Sequence, residues 1–116
     1  MVGLLDIAPL TERVSVRGAE IEVMGVSAKG IAHLLARFPD LRALMSGRTV
    51  SPEAIMEIGG DIVAAIIAAG TGYPGDTRAE EIANDLSVSE QADLLASIFK
   101  LTMPQGFGPF VEKLAA

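Results

Sequence analysis

Three arrangements in this 116-residue chain bring together residue types that could do chemistry. "AAGTGYPGD", residues 68–76, contains a G-x-G-x-x-G at Gly70, Gly72 and Gly75. Such glycines cradle a dinucleotide when they follow a parallel strand and open a helix whose N-terminal amides face the pyrophosphate. Glu53, Glu57 and Asp61 stand at i, i+4 and i+8, which lines three carboxylates along one side of a helix, the raw material of an acid–base or metal site. Lys29, His33 and Arg37 repeat that spacing in cations, with the only histidine in the middle.

The elements that must position these residues argue against chemistry at each. "DIVAAIIAAG" continues a helical pattern that begins at Pro52, and Ala-rich segments prefer helix to sheet. The glycines therefore end a helix where a phosphate loop needs a strand. Gly70 and Gly72 suit left-handed positions at the helix C-terminus, Tyr73-Pro74-Gly75 reads as a turn, and Thr77 with Glu80 fits a capping box for the next helix. No Lys-Ser/Thr follows, and the stretch about 20 residues on, "LLASIFKL", lacks the acid that holds a ribose. Three carboxylates one turn apart on an exposed face are a solvated stripe unless a cleft perturbs them. His33 has neither a cysteine nor a second histidine to join in a metal site or triad. No catalytic, cofactor-binding or metal-binding set is expected, and the chain reads as an interaction protein.

The rest of the chain divides into a hairpin and helices. In "TERVSVRGAEIEVMGV" a two-residue turn at Gly18 and Ala19 suits a type II′ geometry. That turn pairs Val16 with Ile21 and Val14 with Val23 on an apolar face, and Arg17 with Glu20 and Ser15 with Glu22 on a charged one. A lone two-stranded hairpin is marginal in water, so its apolar face must lie on helices or extend another sheet. Ser27 is the expected N-cap of a helix with Ile31, Leu34, Leu35 and Phe38 inward, ended by Pro39. Another turn or two is expected from Asp40 to Met45. Ser51 and Pro52 start the next helix, with Ile55, Ile58, Ile62 and Ile66 in register and Gly59-Gly60 as a point of bending or splitting. Ala79, Ile82, Ala83 and Leu86 face one way on a further helix. Ser87 and Glu90 cap a last long one, which carries Leu94, Leu95, Ile98, Phe99 and Leu101 to a stop at Pro104. The tail "MPQGFGPFVEKLAA" sets Phe107 and Phe110 on a Gly/Pro-bracketed turn before a short helix, either to plug the end of the bundle or to anchor a partner. The expected fold is α+β, mostly α: an N-terminal β-hairpin at about residues 11–26, then a bundle of about four to five helices over 27–116, in a single domain spanning 1–116.

Composition bounds the function. Half the residues are apolar and few are aromatic, so the core is built from Ala, Ile, Leu, Val and Met. With no cysteine, disulfides, thiolate zinc sites and thiol nucleophiles are excluded, and a reducing compartment is the default. The longest uninterrupted apolar run, Ile62 to Ala69, is far below the roughly 20 residues of a membrane span, so a soluble protein without a membrane partner is expected. A net charge of −6 argues against nucleic acid, whose binding rests on Lys and Arg neutralising phosphates. The charge is uneven. Residues 27–48 carry Lys29, Arg37, Arg42 and Arg48 against Asp40, a net of +3, while residues 52–93 carry nine carboxylates against Arg78, a net of −8. Either these charges meet inside one fold or they dock a partner. Mean hydropathy is +0.43, high for so small a soluble domain, which points to apolar surface covered by another chain.

Three stretches carry a resemblance: "LLDIAPLTERVSVRGAEIEVMGVSAKGIAHLLARFPDLRALMSG", "AAIIAAGTGYPGD" and "LTMPQGFGPFVEKLAA". Together with the overall pattern they resemble the small tail-assembly proteins of long-tailed phages, prophages and related elements, the tail assembly chaperones or pre-tape-measure proteins. That resemblance implies a non-enzymatic chaperone. It would bind the long, hydrophobic, helical tape-measure protein, keep it soluble in the cytoplasm of the bacterial host, and leave as tail-tube protein polymerises around it. A frameshifted, extended form is often made in such families. The protein is then expected as a homo-oligomer and is not expected in the mature particle; a structural minor tail component or connector retained in the particle is the alternative. The candidate partner-binding residues are Gly72 and Tyr73 in the connector and Phe107 and Phe110 in the tail, with the hairpin edge as a further contact region.

Overall fold

The computed structural model describes residues 11–47 and 51–103. Two strands, β1 (Thr11–Val16) and β2 (Ala19–Met24), form an antiparallel hairpin, and six helices follow: α1 (Ala28–Arg37), α2 (Pro39–Gly47), α3 (Pro52–Ile58), α4 (Asp61–Gly70), α5 (Thr77–Asn84) and α6 (Val88–Thr102). This is the expected α+β, mostly α architecture. Among the described residues six segments stand where four to five helices were expected over 27–116, because two runs divide: Pro39 closes α1 and opens α2, and Gly59-Gly60 separates α3 from α4. Both glycines take positive φ, 71° and 64°, a region that costs a glycine little. The short helix expected in the tail lies outside the described residues.

The hairpin register differs from the expected one. Val14 pairs with Ile21, Ser15 with Glu20 and Val16 with Ala19, so the turn is Arg17-Gly18 rather than Gly18-Ala19. Both turn residues have positive φ, 52° and 80°, the signature of a type I′ turn. Moving the turn by one residue shifts the pairing by two, so every side chain keeps its face. The shift frees Arg17 from the ladder to donate two hydrogen bonds to the Glu90 carboxylate, at 2.9 and 3.0 Å.

The apolar hairpin face lies on α6, with Val16 and Val23 buried. On that same face Glu12 accepts from Ser97 Oγ at 3.0 Å and Lys100 Nζ at 3.2 Å; past the end of β2, the Val26 amide donates to Thr102 Oγ1 at 2.9 Å. At the centre is α4, whose residues from Ile62 to Ala68 are each at most 4% exposed. A helix apolar on all sides belongs inside a bundle, and α4 touches α1, α3, α5 and α6. Each Ile or Val buried there is worth about 1.5–3 kcal/mol, which outweighs the absence of a side-chain cap at its Gly60 start.

Expected caps hold at three helices: Ser27 accepts from the Gly30 amide, Ser51 from Ala54, and Ser87 with Glu90 completes a reciprocal capping box. At α5 the cap is Asp76, accepting from the Ala79 amide at 2.9 Å, so the Thr77–Glu80 box does not form. Glu80 instead accepts two hydrogen bonds from Arg37, at 2.6 and 2.7 Å, tying α5 to α1.

Candidate partner-binding surface

The connector between α4 and α5 is a built turn. The Tyr73 amide donates to Ala68 O at 2.8 Å and the Gly72 amide to Ala69 O at 3.4 Å. This is the Schellman pattern, with Gly72 in the left-handed position at φ 92°. Thr71 Oγ1 donates back to Ile67 O at 2.8 Å. Asp76 N then closes onto Tyr73 O at 3.1 Å around Pro74 and Gly75, the latter at φ 74°, as a type II turn requires. Gly70 does not take the left-handed position proposed for it. It is the last residue of α4, and its hydrogen faces Ile98: an added Cβ would stand 2.6 Å from Ile98 Cγ1. The G-x-G-x-x-G thus ends a helix, supplying a close approach, a helix cap and a turn.

The other two arrangements are likewise resolved by the fold. The carboxylate row is broken at Gly59-Gly60, leaving Glu53 and Glu57 on α3 and Asp61 at the start of α4, all three exposed. Asp61 takes a long hydrogen bond from Asn84 at 3.4 Å. His33 and Lys29 are exposed, and Arg37 is held by Glu80 and lies over the Phe38 ring, 4.8 Å from its centroid. Among the described residues no group of three His, Asp or Glu is placed to hold a metal ion.

Two clefts flank the connector. The first, of about 380 Å³, opens between β2 and α5 and is floored by Val16, Ile67, Ala83 and Leu94. Its walls are Glu20, Ile21 and Glu22 on the strand side and Ala79, Ile82 and Leu86 on the helix side, with Thr71 and Tyr73 at one end. Tyr73 is 59% exposed and Ile82 56%, large apolar surfaces at the mouth of an apolar groove. The second cleft, of about 530 Å³, lies beside Pro74 and Gly75 and is lined by His33, Leu34, Arg37, Ala65 and Ala69. Tyr73 therefore borders an open groove. Gly72 shapes the turn that presents it. Phe107 and Phe110 lie outside the described residues.

Ala79, Ile82, Ala83 and Leu86 share one face of α5 as expected, but a two-stranded sheet is too narrow to cover that face and leaves Ile82 in the open. Among the described residues Glu90 is the most perturbed carboxylate: the Arg17 guanidinium, then the Ser87 amide, hold its pKa down at about 2. Its place under the hairpin turn makes it an anchor of the fold. Among the described residues no helix is long and apolar enough to cross a membrane.

No curated protein and no solved structure matches this chain. Residues 2–116 match the pre-tape measure protein family, so nearly the whole sequence carries the family pattern. The chain belongs to the pre-tape measure protein family, whose name ties it to the tape-measure protein of phage tail assembly.

Proposed function

We propose that this protein is a non-enzymatic tail assembly chaperone that binds the tape-measure protein and keeps it soluble until the tail tube forms. The observation that carries the reading is the apolar groove between β2 and α5, open to solvent with Ile82 and Tyr73 at its mouth. A long apolar client needs such a surface, offered by several copies along its length. The chaperone acts in the host cytoplasm, self-associates, gives way to tail-tube protein, and is left out of the finished particle.

Co-expression with the tape-measure protein tests this, with client solubility and co-elution on a sizing column as readouts. Soluble co-elution is the expected result. An insoluble client, with this chain found in purified particles by mass spectrometry, would overturn the reading in favour of a retained structural component. Ile82→Glu places a charge at the groove mouth, where it remains solvated, and is expected to abolish co-elution while leaving the fold intact.

A further inference from the structure

The groove has two unlike walls. On α5 the lining residues Ala79, Ile82, Ala83 and Leu86 follow i, i+3, i+4, i+7, one helical face. On β2 they are consecutive, Glu20, Ile21 and Glu22. Successive strand residues point to opposite faces, so three in a row mean that the groove is bordered by the edge of β2. The sheet has only the order β1-β2, and that edge has no strand beside it among the described residues. Pairs alternate between hydrogen-bonded and non-hydrogen-bonded, starting with the bonded Val16–Ala19 pair that closes a two-residue turn. Glu20 and Glu22 fall in the non-bonded pairs, so their N–H and C=O groups point outward along the groove. Their side chains are exposed, and only Glu20 has an ion pair, a 3.4 Å contact with Arg13.

We infer that this groove takes an extended segment of the client, added as a third strand on β2. The inference rests on the chaperone reading above and names how the client is held. Backbone hydrogen bonds to Glu20 and Glu22 supply the pairing, and alternate client side chains drop onto Ile82 and Leu86. Those on the other face stand opposite Glu20 and Glu22, where lysine or arginine is favoured across the strands. The segment is therefore one of alternating apolar and basic residues. A helix laid in the same groove would leave the outward amides of β2 without backbone partners.

Amide hydrogen exchange at Glu20 and Glu22, free and in the client complex, tests this together with Glu22→Pro. Proline there removes an outward amide and no hydrogen bond of the hairpin, and circular dichroism checks that the fold survives. Glu22→Lys is a second variant that leaves the backbone unchanged. Expected are fast exchange in the free protein, protection in the complex, and client capture reduced about tenfold or more by either variant, a change of roughly 1.4 kcal/mol in binding. Loss of capture by Ile82→Glu, with Glu22→Pro capturing normally and exchange unchanged, would overturn strand addition and leave the chaperone reading standing. Protection already present without client would overturn it too, assigning the edge to a second copy if protection rises with concentration and to the same chain if it does not. A client that stays insoluble with the unaltered protein would remove both.

Discussion

A methyl group at position 70 has no room, because the space it needs is filled by the side chain of Ile98, itself fully buried on α6. Overpacking of this kind costs about 1–3 kcal/mol. Gly70→Ala is expected to lower the thermal midpoint accordingly, even though alanine is the better helix former. Ile98→Val shortens the neighbour, so the double variant is expected to lose less than the two single losses combined. Glu80 offers a second residue-scale test. Its side chain is 11% exposed and takes both guanidinium bonds from Arg37, whose side chain is 46% exposed. Glu80→Gln is expected to cost about 1 kcal/mol, the modest value of a half-solvated pair, measured by denaturant unfolding. Neither role could be read from the chain. Glu80 fits a local T-x-x-E pattern, whereas its actual partner is 43 residues away. Gly70 fits a helix end, whereas its neighbour is 28 positions on in a different helix.

Between elements, the joint of the hairpin turn with the start of α6 is the most charge-dependent. Glu90 caps α6 with Ser87 and receives Arg17. Its folded pKa of about 2 lies below the ordinary 4.5, so its stabilisation is present above about 4.5 and is lost as pH falls toward about 2. Thermal midpoints are expected to fall across that window, and Glu90→Gln to flatten the fall. Arg17→Asn separates turn from ion pair, because Asn-Gly is the favoured type I′ sequence. That variant is expected to be less stable than the parent near neutral pH, with the gap closing as the pH drops through the same window. Elements were legible where the signal is local: Ser27, Ser51-Pro52 and Ser87–Glu90 each sit three residues or fewer from what they satisfy. The turn was not, because Gly18 serves either two-residue loop, and the choice goes to the loop that releases Arg17 to a partner 73 residues away.

For the molecule as a whole, the basic and acidic halves of the sequence meet in part inside the fold, through Arg37 and Glu80. That pair uses one cation, and the excess remains acidic: the net charge is −6, with Glu20 and Glu22 at the groove. The apolar surplus was also visible in composition, but which surface stays open depends on the width of a sheet and the placing of α5, and neither has a local pattern. A negative protein presenting an acidic strand edge attracts a basic segment over a distance set by the Debye length, about 10 Å at 0.1 M salt. Capture of the client is therefore expected to slow as sodium chloride is raised, chiefly through the association rate, while dissociation, governed by the apolar floor and the backbone bonds, changes little. Glu22→Gln is expected to reduce that salt dependence, and Ile82→Ala to speed dissociation without altering it. Stopped-flow or surface-binding kinetics at several salt concentrations separate the two, and an association rate indifferent to salt would rule out a basic client segment.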